Sequence, residues 1–170
     1  MIEKIERFYL EINTINDLKT KPISSECFSL KEANKDNFDL NKFFYKQIGK
    51  KHRWVDRLVW EDKKWIEYVE NPRVKTFILK DNNNLVGYYE TIRDVDKDQS
   101  EIAYFGILEE YFGKKCGGYL LSEAINQLFQ EGMSRVWLHT CSLDHKNAIK
   151  NYLARGMQIF KSEKINVDIN

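Results

Sequence analysis

The chain has 170 residues, 31% of them charged with a net charge of only +1, and 14% aromatic. Such a balance excludes the basic excess of a nucleic-acid binder, and two prolines without a low-complexity stretch exclude a linker or disordered tail. The length predicts one domain, residues 1–170, with enough chain to bury a sizeable core.

In chain order, "IERFYLEI" and "ECFSLKEA" read as the first two strands. "NFDLNKFFYKQIGK" places Leu40, Phe43, Phe44, Gln47 and Ile48 at helical spacing, with Gly49 as a stop. "RWVDRLVWEDKKWIEYVENP" predicts a second helix with Trp65, Ile66 and Val69 on one face, ended by Pro72. The period then changes to two: "VKTFILK", the turn "DNNN" and "LVGYYETIRDV" form a hairpin, followed by the nearly continuous apolar strand "EIAYFGIL". "LLSEAINQLFQEG" is an amphipathic helix, "RVWLHTC" a strand, "HKNAIKNYLARG" a helix and "MQIFKSEKINVDI" one or two last strands. This order predicts a mixed α/β sheet flanked by helices, and its run of three strands excludes an all-parallel sheet.

Three cysteines, Cys27, Cys116 and Cys141, show no C-x-x-C pair, so neither a disulfide framework nor a zinc site is expected. "MIEKIERFYLEIN" lacks the apolar core of a signal peptide, and no apolar run has the length of a membrane span. A soluble, cytoplasmic protein without membrane or nucleic-acid partners is the expectation.

Between the last strand of the three-strand run and the following helix stands "YFGKKCGGYLL", which holds three of the chain's eight glycines around Lys114 and Lys115. A helix N-terminus presents unpaired amides and a partial positive charge, so Gly117 and Gly118 would bare donors for an anion. There is no G-x-x-x-x-G-K-[ST] and no G-x-G-x-x-G, which excludes both standard phosphate loops. Spacing alone leaves a phosphate cradle and a plain strand-to-helix turn both open.

From "EIAYFGIL" through "YFGKKCGGYLLSEAI" to "DHKNAIKNYLARGM" the chain resembles the GCN5-related N-acetyltransferases, the GNAT family. The family signature Q/R-x-x-G-x-G/A sits at a strand–helix junction and is followed by N-x-x-A-x-x-x-Y-x-x-x-G-F. Aligned on Gly117, Phe112 stands at the Gln/Arg position, Lys115 at the first glycine and Cys116 at the usual aliphatic position. Ala148, Tyr152 and Gly156 match the second motif, whereas His145 replaces its asparagine and Met157 its phenylalanine. The histidine–threonine–cysteine strand end and the Asp144–His145 pair are similar to one little-characterised branch. The resemblance covers about residues 74 to 160.

The resemblance implies a mostly antiparallel mixed sheet with helices on both faces and splayed central strands. It also implies acetyl-CoA as cosubstrate, a small amine acceptor and no metal, and it is compatible with a homodimer. The pantetheine arm would pair with Phe105, Gly106 and Ile107, and the pyrophosphate would lie on Gly113, Lys114, Lys115, Cys116, Gly117 and Gly118. His145 and Asn147 would complete that side. Tyr152 would protonate the leaving thiolate, with Glu90 or Glu101 as the base. For Glu90, apolar and aromatic neighbours predict a raised pKa. Trp54, Asp56, Arg57 and Trp60 are candidates for the acceptor pocket, with His139 lining it or serving as a second proton acceptor. Asp144 is expected to cap the following helix. The implied reaction is direct transfer of an acetyl group to a primary amine of a small molecule, amino acid or peptide. The departures at Phe112 and Lys115 leave a non-catalytic acyl-CoA-binding module as the alternative.

Overall fold

The computed structural model describes residues 1–23 and 26–168. Among the described residues, seven strands form one sheet: β1 (Ile2–Ile12), β2 (Phe28–Glu32), β3 (Val74–Asp81), β4 (Asn84–Asp94), β5 (Gln99–Ile107), β6 (Arg135–Cys141) and β7 (Gln158–Asp168). Four helices accompany them: α1 (Phe38–Gly49), α2 (Asp62–Glu70), α3 (Cys116–Gln130) and α4 (Ala148–Ala154). The sheet order is β2-β3-β4-β5-β6-β1-β7. Every pairing is antiparallel except β5–β6. The mixed, mostly antiparallel architecture is the expected one. The last predicted segment forms the single strand β7, and Ile169 lies outside the described residues.

Alternation along the central hairpin loads both faces of the sheet. Phe77 and Tyr89, opposite each other on β3 and β4, stack at 4.9 Å and join the core beneath α3. Ile78 and Tyr88, the next pair, point the other way and pack on Phe44 and Ile48 of α1. Leu120, Leu121, Ala124, Ile125 and Leu128 turn the apolar stripe of α3 onto the sheet. Each such large side chain, fully removed from water, contributes about 1.5–3 kcal/mol. Gly132, at a φ of +91°, ends that helix with backbone bonds from Gly132 to Phe129 and from Met133 to Leu128.

Two helices differ from expectation. The buried face of α1 is Asn41, Phe44, Tyr45 and Ile48, so Phe43 and Gln47 point to solvent. The face is rotated because a buried polar group, Asn41, substitutes for an apolar one. Only the second half of the predicted second helix is helical: Trp65 and Val69 are buried on α2, but residues 53–60 form successive turns, with Arg53 at a φ of +56°.

The sheet is split at its parallel junction. β5 and β6 pair only over Gln99–Arg135, Ser100–Val136 and Glu101–Trp137, after which the strands separate. From Ile102 to Ile107, β5 is hydrogen-bonded on its β4 side alone. The outer strands β6, β1 and β7 then form a second half-sheet facing the first across the gap.

Candidate active site

The fork between β5 and β6 opens a cleft of about 1020 Å³ that reaches both faces of the sheet. One end is lined by the start of α3 and by α4, the other by the α1–α2 connection and by β1 and β7.

At the α3 end, the first-turn amides of Cys116, Gly117 and Gly118 receive no side-chain cap. A Cβ placed on Gly117 would meet no atom closer than 3.7 Å, and one on Gly113 would meet nothing within 4 Å. Space does not demand either glycine: Gly113 is required by its left-handed backbone, at a φ of +77°, whereas at Gly117 the missing side chain keeps room open in front of the amides. Gly106 is different. A Cβ there would lie 2.7 Å from Ile48 Cγ2, so glycine lets β5 pack directly on α1.

Lys115, the N-cap, has a φ of +65°. This left-handed conformation explains why the motif position it occupies favours glycine, since a Cβ there costs about 1–2 kcal/mol. Lys115→Gly is expected to raise stability by roughly 1 kcal/mol, readable as a melting-temperature increase of about 2–4 °C. Lys114 leaves the cleft wall and lays its ammonium 4.9 Å from the Tyr111 ring centroid. The Cys116 thiol is buried, with its pKa pushed up by that burial, and its Sγ lies 3.7 Å from the Lys114 carbonyl.

Two of the motif departures, Phe112 and His145, meet in space. The Phe112 and His145 rings contact edge to face at 5.1 Å, so the residues replacing Gln/Arg and Asn form one pair on the cleft wall. His145 Nδ1 accepts a hydrogen bond from the Asn147 amide at 3.1 Å, which orients the approach to α4. Asn147, and not Asp144, is the N-cap of α4. Asp144 instead fastens the end of β6: its Oδ2 accepts from the Thr140 hydroxyl at 2.5 Å and the Cys141 amide at 3.1 Å, and its Oδ1 from Trp54 Nε1 at 3.3 Å.

Tyr152 of α4 lines the cleft with its ring edge-on to Phe105 at 6.4 Å. Burial drives its pKa well above that of a free phenol, and the Asp144 carboxylate adds to the rise. Among the described residues its hydroxyl makes no hydrogen bond. The proton stays on the oxygen and is free to be donated.

Glu101 and His139 face each other where the fork begins, with His139 Nε2 3.9 Å from Glu101 Oε1. A β-bulge helps to place them. Thr91 pairs with Ile102 and Glu90 with Tyr104, so Ala103 is the extra residue and Tyr104 turns to the same side of the sheet as Glu101. Burial raises the Glu101 pKa, opposed by the Arg57 charge. Burial also lowers that of His139, helped by Arg7. At neutral pH, His139 is therefore a neutral imidazole beside a carboxylate of enhanced basicity.

Glu90 does not line the cleft. It is fully buried, its Oε2 accepting from Arg57 Nη1 at 2.9 Å and from the Tyr68 hydroxyl at 2.9 Å, and its Oε1 from Asn41 Nδ2 at 2.8 Å. The expectation of an apolar setting fails, because the helical asparagine and the turn-borne arginine both aim inward at this carboxylate. Arg57 in turn lies 4.1 Å from the ring centroids of both Tyr68 and Tyr104 and 4.8 Å from Trp60. Trp54, Arg57 and Trp60 thus line the cleft as expected, but the aromatic box they suggest already holds the protein's own guanidinium.

Asp56, from the segment expected to build the acceptor pocket, lines the cleft too, whereas Arg7 and the β7 residues Ile165 and Val167, which also line it, were missed by the sequence reading. Asp56 accepts from the hydroxyls of Tyr45 at 2.7 Å and Tyr104 at 3.0 Å. Only the sheet order, which brings β1 and β7 beside β6, puts the other three there. Among the described residues, no group of three His, Cys, Asp or Glu side chains is placed to hold a metal ion, and no helix is long and apolar enough to cross a membrane.

The profile of the acetyltransferase (GNAT) family matches residues 34–157, which includes both arms of the fork and α1 to α4. The chain belongs to the GNAT family. No curated protein matches it. Among solved structures, a GCN5-related N-acetyltransferase from Sphaerobacter thermophilus superposes with a TM-score of 0.74 at 12% identity, over 95% of this chain and 50% of that one. The GNAT chain described here thus spans half the length of that protein. An aminoglycoside acetyltransferase from an uncultured soil metagenomic sample gives 0.65 at 9% identity, over 77% and 88%. The ribosomal-protein-S18-alanine N-acetyltransferase of Escherichia coli gives 0.60 at 16%, over 76% of each chain. At these identities the likeness is one of fold. The GNAT match stops short of β1, β2 and all of β7, so the outer wall of the cleft lies outside the matched residues.

Proposed function

We propose that residues 1–170 act as one acetyl-CoA-dependent N-acetyltransferase domain, passing an acetyl group directly to a primary amine of a small molecule, amino acid or peptide. The observation that carries this is the fork. It joins uncapped helix amides and an unpaired strand edge on one side of the sheet to a carboxylate–imidazole pair on the other. The amides of Cys116, Gly117 and Gly118, with the Lys115 ammonium, fit a pyrophosphate, and the free edge of Phe105 to Ile107 fits the amide-bearing pantetheine arm. When bound, acetyl-CoA supplies the acetyl group as a thioester.

The chain's own residues then divide the proton work. An amine attacks only when neutral, and Glu101, with His139 beside it, takes its proton. Tyr152 holds a proton at its hydroxyl for the departing sulfur. Glu90 has no part in this and instead braces Arg57.

The test is thiol release from acetyl-CoA in the presence of primary amines, recorded against pH for the wild type and Glu101→Gln. Catalysis requires ionised Glu101, so kcat/KM is expected to fall as pH drops through its raised pKa. Glu101→Gln is expected to lose about 10²-fold at neutral pH together with that acidic limb. Release that no amine stimulates would overturn the reading, and an unchanged acidic limb in the variant would remove Glu101 from it.

A further inference from the structure

Arg7 is a cation of the cleft that the proposed chemistry does not use. It lies on β1 opposite Cys141 of β6 and Glu163 of β7, and the next inward-facing pair is Tyr9 with His139. Side chains alternate along a strand, so Arg7, His139 and Cys141 share the face that looks into the cleft, and all three line it. The same alternation brings Ile5, its partner Ile165 and, one step farther, Val167 to that face. One charged group thus stands between the proton acceptors and an apolar strip.

The carboxylates nearest Arg7 are engaged elsewhere. Glu163, its cross-strand neighbour, accepts from the Tyr9 hydroxyl at 2.6 Å and pairs with Lys161 at 3.5 Å. Asp144 serves Thr140, Cys141 and Trp54. Asp56 serves Tyr45 and Tyr104, and Glu101 faces His139. Among the described residues Arg7 makes no ion pair, and its Nε is buried without a hydrogen-bond partner. An incoming acceptor would meet Arg7 where it lines the cleft, and guanidinium geometry favours a bidentate carboxylate.

We infer that Arg7 is the specificity residue of the acceptor site, binding the carboxylate of a free α-amino acid whose apolar side chain lies along Ile5, Ile165 and Val167. The assignment rests on the acetyl-transfer reading of the cleft and narrows its acceptor. A carboxylate on Arg7, one step along the sheet from His139, leaves the adjoining α-amine beside the Glu101–His139 pair. A peptide N-terminus has an amide where Arg7 requires a charge, and a simple alkylamine has nothing there.

The experiment compares leucine, leucinamide and 3-methylbutylamine, which share a side chain and an amine and differ at the carboxylate. Each is titrated calorimetrically into the protein saturated with CoA, and each is assayed for thiol release with acetyl-CoA. Leucine is expected to bind about 10–100-fold more tightly than the other two, as a charge-assisted pair implies. Arg7→Gln, checked for an unchanged melting profile, is expected to reduce that ratio to about threefold or less. The wild-type comparison decides the matter even where the variant does not fold. Leucine binding no tighter than 3-methylbutylamine, or not at all, overturns the Arg7 assignment, even with brisk acetylation of amines. A leucine preference lost in Arg7→Gln without any thiol release upholds the Arg7 assignment and sinks the transferase reading instead.

Discussion

Replacing Tyr152 with phenylalanine is expected to lower kcat by about 10²–10⁴-fold, the range for loss of a positioned proton donor, while acetyl-CoA affinity changes little. The substitution keeps the ring that packs against Phe105 and removes only an oxygen that bonds to no other described residue. Neither folding nor the cradle at α3 depends on that oxygen. Burial keeps the phenol protonated throughout the neutral range, as the proposed role of an acid requires. Steady-state thiol release paired with calorimetric titration of acetyl-CoA separates the two effects. Full turnover by Tyr152→Phe would take the residue out of the mechanism, and loss of cosubstrate binding would make it a packing residue.

The second large effect falls on stability. Glu90→Ala leaves the Arg57 guanidinium, only 5% exposed, without its counter-charge, and leaves the Tyr68 hydroxyl and the Asn41 amide each short of an acceptor. Removing one partner of a buried ion pair costs about 3–5 kcal/mol, which for a chain of this size lowers the melting temperature by roughly 10 °C. Glu90→Gln retains an acceptor and the side-chain volume and is expected to cost less. Thermal unfolding measures both. A catalytic Glu90 predicts the opposite pattern, with an intact melting temperature and a lost acidic limb in Glu90→Gln.

Much of the fold was legible because period-two and period-3.6 patterns report directly on which side chains leave water. The hairpin of β3 and β4, the strand β6 and the core face of α3 follow from apolar spacing alone. Residues 53–60 did not, because "RWVDRLVW" has a helix-like composition but is shaped by Arg57 reaching inward to Glu90. The face of α1 was misjudged for the same reason: Asn41 is buried to serve that carboxylate, and hydrophobic spacing is blind to a buried polar cluster.

At the site, the α3 junction and Tyr152 could be found because the chemistry they suit leaves a motif. Lys115 looked like a defect in that motif, and its left-handed backbone shows what the position demands of any residue. Arg7 and the β7 residues carried no signal. Their place depends on strand order, and strand order is fixed by pairing across the whole chain, not by any local pattern.

The insertion of β1 between β6 and β7 has a bearing on how each molecule is made. Glu11 of β1 meets Arg135 of β6 at a sequence separation of 124. During synthesis β1 is therefore made long before either neighbour, and closing so large a loop is slow. The central sheet and α1 to α3 can assemble in the meantime. The wall bearing Ile5 and Arg7 is then the part of the sheet that waits longest for its partners.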